Sequence, residues 1–286
     1  MNSFEDYTNA FRKLITEGRS IPLAEGNAAE RGKPNADAPI ALLLSPHPDD
    51  EVIIGGLPLR LMRESGWRVI NVAVTLGSKL ERREERWEEL ARCCEAIGFE
   101  LVATQNGGLN SINPESRDSD PDTWSKNVAI VAGVIQRFQP AAIFLPHRED
   151  WNITHIGTHL LGVDALKTIG TDFTCEFIET EFWRPMSAPN LVVESSSTDL
   201  GDLLAALSFH VGEITRNPYH LTVPAWMIDN VRRGAEVVGG QGKSGPPMDF
   251  ATLYQVLHWN GEELTSALEG GRFVTQNEDP ATVLKS

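Results

Sequence analysis

The feature that most constrains the fold is an alternation that runs from residue 40 to residue 195. Short apolar runs (IALLLS 40–45, WRVINVAVT 67–75, ELVAT 100–104, AAIFLP 141–146, FTCEFIETEFW 173–183, NLVVES 190–195) are separated by longer segments. Four of those segments, about 51–65, 80–97, 123–138 and 153–169, have helical length and pattern. The apolar runs lack the in–out polarity of a half-exposed strand, so both faces are expected to be covered. The predicted fold class is therefore α/β: a Rossmann-like, mostly parallel sheet with helices on both faces. Phe4, Tyr7, Phe11, Leu14 and Ile15 recur at helical spacing ahead of it and predict an amphipathic helix. The expected organisation is an N-terminal helix and polar linker (1–39), an α/β core (40–195) and a helical or loop C-terminal extension packed on the core (196–286).

The 286 residues suffice for one large core. Acidic side chains number 40 against 25 basic ones, a formal net charge of −15, which argues against nucleic acid or an anionic membrane surface as a partner. No basic segment followed by an apolar stretch opens the chain, and no apolar run is long enough to span a bilayer. Of the three cysteines, Cys93 and Cys94 are adjacent in a helical segment, where a disulfide framework is not expected. The expected setting is cytoplasmic, with a small-molecule substrate; a homo-oligomer is compatible with the sequence.

Directly beyond the first strand stands SPHPDDE, residues 45–51. In open α/β sheets ligands bind outside the carboxyl ends of the strands, which is where this stretch falls. His47 and Asp50 are three residues apart in a turn stiffened by Pro46 and Pro48. Imidazole plus carboxylate suits zinc or another divalent first-row metal such as Fe2+. Asp49 lies between them and is a candidate general base. Helix capping would explain one aspartate. It does not explain a histidine and three acids crowded where their repulsion needs a counter-charge. A third ligand is expected from another strand end, and LPHREDWNITHIGTH (145–159) offers His147, Asp150, His155 and His159, with Asn152 as an N-cap.

Together the two segments resemble the PIG-L/LmbE-like family of metal-dependent deacetylases. The family's H-P-D-D-E stands intact as His47-Pro48-Asp49-Asp50-Glu51, and its second motif, roughly D-x-H-P-D-H, is represented by Asp150-Trp151-Asn152-Ile153-Thr154-His155. Arg86-Trp87-Glu88-Glu89-Leu90 is similar to the R-x-x-E-L helix found between the motifs. The resemblance implies an LmbE-like fold, with His47, Asp50 and His155 as metal ligands and Asp49 as the base. It implies that Asn152 takes the place of a histidine that stabilises the oxyanion, where an asparagine N–H can still donate. Asn106-Gly107-Gly108 stands where the resemblance implies the family's D-G pair, which follows the R-x-x-E helix and is linked to sugar binding. Arg86, Asn106, Asp150, His159 and His210 are candidate substrate contacts, with Asp150 able to orient a ligand histidine.

The reading that follows is a zinc-dependent deacetylase acting on an N-acetylglucosamine-type conjugate. The alternatives are a zinc hydrolase of another small acyl-amine and a metal-binding protein that has lost catalysis. The loop GGQGKSG (239–245) is no phosphate loop, because Val237 stands where that pattern needs glycine. The charged run 79–98 reads as a solvated helix face apart from Arg86.

Overall fold

A computed structural model describes residues 2–25 and 35–284. Helix α1 (Ser3–Gly18) precedes the core, which runs β1 (Ile40–Ser45), α2 (Asp50–Ile53), α3 (Gly56–Glu64), β2 (Arg68–Ala73), α4 (Arg83–Ile97), β3 (Glu100–Ala103), α5 (Pro114–Ser119), α6 (Pro121–Phe138), β4 (Ala142–Pro146), α7 (Ile153–Ile169), β5 (Cys175–Thr180) and β6 (Leu191–Ser195). The C-terminal part supplies α8 (Ser197–Leu207), α9 (Val211–Arg216), α10 (Tyr219–Val237), β7 (Phe250–Trp259), β8 (Leu264–Ser266) and β9 (Arg272–Val274). The expected helix at 153–169 forms with those bounds, and the core strands lie within the expected runs.

The strands join in the order β3-β2-β1-β4-β5-β7-β6-β9, with β8 on β7. β3, β2, β1, β4 and β5 are parallel, whereas β7 runs antiparallel to both β5 and β6. Apolar side chains fill both faces. Leu43, Leu57 and Phe144 lie in one cluster, Leu42, Leu44 and Ile143 in the other. Burial on both faces is why these strands read as unbroken apolar runs.

The extension contains the expected helices, and it also places β7 inside the sheet. Strand β6 reaches the sheet only through β7, so no structural boundary falls at residue 195. A strand's partner is set by tertiary context, which the stretch FATLYQVLHW does not announce. Tyr254 of β7 is fully buried; its hydroxyl donates to the Ile54 carbonyl at 2.5 Å and accepts from Leu57 N–H at 3.2 Å. It thereby fixes the break between α2 and α3, where one helix was expected over 51–65. The break occurs at Gly55, whose φ of +85° favours glycine and whose position leaves no room for a Cβ beside Thr252.

Helix α1 forms as expected, but its apolar stripe is not packed on the core: Phe4, Tyr7 and Leu14 are exposed. Leu23 and Ala24 then join the core, and Ala24 N–H donates to Ser208 Oγ at 3.0 Å. Most of the polar linker expected at 24–39 lies outside the described residues. Among the described residues, no helix is long and apolar enough to cross a membrane.

One glycine holds the site-bearing helix in place. A Cβ on Gly157 of α7 would stand 2.5 Å from the Ile112 backbone carbonyl. Gly157→Ala is expected to destabilise the protein by about 1–3 kcal/mol, since backbone cannot yield as a side-chain tip can. Urea unfolding checks this, and an unchanged midpoint would show that α7 can shift freely.

Candidate metal centre and active site

Strands β1 and β4 are neighbours in the sheet although β2 and β3 intervene in sequence. The chain thus reverses its winding direction between them, and the crevice beyond their carboxyl ends is the expected ligand site. His47 and Asp50 follow β1, and His155 lies in the first turn of α7 after β4. His47 Nδ1 and His155 Nε2 are 3.3 Å apart, and Asp50 Oδ2 lies 3.4 Å from each. Four ligands held tetrahedrally at about 2.0–2.1 Å from zinc stand about 3.3–3.4 Å from one another. The three atoms are therefore spaced as a tetrahedral metal ion would need, and all three residues line the crevice. Without a cation, two imidazole nitrogens at this distance can share only one proton.

Burial raises the Asp50 pKa, but His155 and His47 outweigh it and hold the carboxylate well below its usual range. Burial depresses the pKa of His155, yet Asp50 and Asp150 reverse this and raise it to about 9. Asp150 Oδ1 stands 3.7 Å from His155 Nδ1, in ion-pair range though beyond a hydrogen bond. Asp150 is itself anchored by the N–H groups of Asn152 and Trp183 at 2.8 and 3.2 Å.

Asp49 makes no capping hydrogen bond, so its carboxylate is not committed to α2. Burial, then the neighbouring Asp50, push its pKa well up, with Arg86 opposing. Its backbone is left-handed, φ 113°, a costly conformation for a residue with a side chain. Its N–H donates to Glu51 Oε2 at 2.9 Å, Arg86 Nη2 donates to the Pro48 carbonyl at 3.0 Å, and Thr75 Oγ1 donates to the Pro46 carbonyl at 2.7 Å. The other Glu51 oxygen is 2.6 Å from His210 Nε2, with Cys93 beside them. Glu51, Cys93 and His210 form a second cluster of ligand-type side chains, all buried. Both Glu51 oxygens already hold hydrogen bonds, so the cluster braces the turn.

Asn152 lines the crevice and caps α7, its Oδ1 accepting from Thr154 N–H at 2.9 Å. That bond turns the amide nitrogen away from the helix as a donor. Ser78, Lys79, Arg82, Trp183, Glu213, Arg216 and Tyr219 also line the crevice. Lys79 and Arg82 lie just before α4; Lys79 is exposed, in keeping with the expected solvated face, yet both residues border the crevice. Arg82, Arg86 and Arg216 surround the single carboxylate of Glu213.

Other expected contacts lie elsewhere. Asn106 is exposed in the loop after β3 and does not line the crevice. His210 is wholly buried against Glu51. His147 is buried with Nε2 2.7 Å from the Arg184 carbonyl. His159, one turn below His155, is covered by the end of β4: its Nδ1 is 3.1 Å from the Pro146 carbonyl and its ring packs edge-on against Phe177.

Burial pushes the His159 pKa down to about 4 and that of Glu179, 3.5 Å away, up to about 7. The neutral His159 contributes stability above its ordinary 6.5 that is lost as pH falls toward 4. Glu179 does the reverse: its contribution, complete below 4.5, is lost as pH rises through about 7. Glu179→Gln is therefore expected to exceed wild type in stability at pH 8 by about 1–3 kcal/mol. Denaturant unfolding at pH 5 and pH 8 measures it, and equal stability at pH 8 would mean that Glu179 ionises without penalty.

Residues 42–166 match the PIG-L family, described as GlcNAc-PI de-N-acetylase. No curated protein matches the sequence significantly. Among solved structures, N,N'-diacetylchitobiose deacetylase from Pyrococcus horikoshii matches at TM-score 0.52 and 16% identity, over 90% of this chain and 93% of that one. A 4-carboxy-2-hydroxymuconate hydratase from Pseudomonas putida KT2440 matches at 0.54 and 18% identity, over 76% and 95%. A zinc-inhibited form of a teicoplanin deacetylase matches at 0.54 and 14% identity, over 77% and 99%. At such identities the likeness establishes the fold, and the family match covers both strand ends that carry the His47–Asp50–His155 triangle. Residues 42–166 of this chain thus carry a domain that matches the PIG-L family model, described as GlcNAc-PI de-N-acetylase.

Proposed function

We propose that the protein is a zinc-dependent deacetylase that hydrolyses the acetamide of an N-acetylated amino-sugar conjugate. The observation that carries this reading is the His47–Asp50–His155 triangle with the uncapped Asp49 beside it in one crevice. Fold alone would not select the reaction, since one structural neighbour is a hydratase. The donor set suits zinc and also Fe2+. A divalent ion held there would supply Lewis acidity to the amide carbonyl and to water.

Asp49 takes a proton from the attacking water in this reading and returns it to the departing amine. The Asn152 amide N–H, on the crevice wall, donates in this reading to the carbonyl oxygen as it gains charge. Lys79, Arg82 and Arg216 at the crevice favour a conjugate bearing a phosphate or carboxylate, such as inositol- or malate-linked N-acetylglucosamine. This local basic lining stands out in a chain with a net charge of −15.

Primary-amine release from a panel of N-acetylglucosamine conjugates, with Zn2+ and Fe2+ each reconstituted, tests the reading. Asn152→Ala is expected to lower kcat by about 10²–10³-fold with little change in metal content. Undiminished kcat in that variant would remove Asn152 from the oxyanion role. No release by metal-loaded wild type would transfer the reading to another acyl-amine or to a binding protein.

A further inference from the structure

Beside the metal centre lies a second cavity that amide hydrolysis does not itself require. Its volume is about 160 Å³, and Ile53, Phe182, Trp183, Tyr219, Val223 and Trp226 wall it, with Asp50 also in the lining. Asp50, Ile53, Trp183 and Tyr219 also border the catalytic crevice, so the two spaces are lobes of one opening that meets at a metal ligand. Their chemistry differs sharply. The crevice carries Lys79, Arg82, Arg86, Arg216 and Glu213, whereas Asp50 is the one ionisable carboxylate or cation along the second lobe.

The wall is built rather than incidental. Tyr219, Val223 and Trp226 fall at i, i+4 and i+7 on one face of α10. Trp183 meets Tyr219 edge-on at 5.5 Å, and Phe182 meets the ligand His155 edge-on at 4.7 Å. Yet the rings do not fill the space, and Trp183 remains 46% exposed. A sugar ring would find little to pair with its hydroxyls there, and an acetyl methyl group is far smaller than the cavity.

We propose that this lobe is an apolar subsite for a ring-sized hydrocarbon arm carried by the substrate next to the scissile amide. The inference rests on the deacetylase reading only for placing the amide at the metal. The arm has two chemical sources, an acyl group longer than acetyl or an apolar aglycone, and both would be recognised by the same wall.

Calorimetric binding to zinc-loaded Asp49→Asn protein tests the subsite without turnover. The ligands are N-acetylglucosamine, its benzyl glycoside and N-hexanoylglucosamine. At least one of the two arm-bearing ligands is expected to bind about tenfold tighter than N-acetylglucosamine. Thr222→Phe, which sets a ring at the exposed rim of the lobe, should cancel that gain and leave N-acetylglucosamine unaffected. A gain with the benzyl glycoside alone assigns the arm to the aglycone, and a gain with the hexanoyl compound alone assigns it to the acyl group. No gain for either, or a gain that survives both Thr222→Phe and Trp226→Ala, overturns the subsite. Absent amine release by wild type, with this binding pattern intact, would count against the reaction and not against the subsite.

Discussion

Asp49→Asn is expected to lower kcat by about 10²–10⁴-fold while zinc content stays stoichiometric. Asp49 contributes no atom to the His47–Asp50–His155 triangle, so removing its charge leaves the three ligand atoms in place. The choice of substitute matters because of the backbone. At φ 113° asparagine is among the few residues that tolerate a left-handed conformation, whereas alanine would add strain to the same turn. An alanine variant would mix loss of the base with distortion of His47 and Asp50. The measurement pairs amine release with metal analysis on the same sample. Loss of zinc in Asp49→Asn would make Asp49 a ligand, and the proposed division of roles would fail.

The second large effect concerns the brace. Glu51→Ala removes the acceptor for Asp49 N–H and leaves the buried His210 ring without its 2.6 Å partner. Unpairing one member of a buried pair of this kind costs about 3–5 kcal/mol. For a chain of this size, that corresponds to a fall in Tm of about 6–15 °C. Glu51→Gln keeps an acceptor for one of the two partners and should cost less. Since His210 acts through Glu51, adding His210→Ala to Glu51→Ala should cost much less than the sum of the two single changes. Strict additivity would mean that the two side chains act independently and that the turn is held by Arg86 and Thr75 instead.

The clustering of His47, Asp50 and His155 was legible because its signals are local. His47 and Asp50 share one turn, and His155 opens a helix after a strand whose apolar run is unmistakable. The expectation that His159 shares the crevice came from i, i+4 spacing, which fixes a helix face but not its depth. The end of β4 closes over the lower turn, so His159 meets Pro146 and Phe177 instead of substrate space. The partner of Glu51 was not legible, because His210 lies 159 residues away and the sequence carries no sign of which buried carboxylate it would meet. The cationic lining was hidden for a related reason. Lys79 and Arg82 sit in a charge-rich run in which Glu81, Glu84, Glu85 and Glu88 do face solvent, so nothing local marks the two that border the crevice. Among the aromatic walls, Trp183 was inside a run read as strand, and only the tertiary fold turns it over the crevice.

The antiparallel β7 has a consequence for the order of events during synthesis. Chains are made from the N-terminus at about 5–20 residues per second, and domains fold as their parts emerge. While residues 196–249 are being added, β5 has no neighbour on its far side and β6 has no place in the sheet. The loops that carry His47, Asp50 and His155 can already be present, but the α2–α3 break lacks the Tyr254 hydroxyl that ties it down. An unpaired strand edge in the middle of an apolar sheet is a template for association with other chains. A ribosome-stalled or truncated chain ending before Phe250 would therefore hold His47, Asp50 and His155 yet be the aggregation-prone form, and β7 to β9 act as the closing seam of the fold that carries the site.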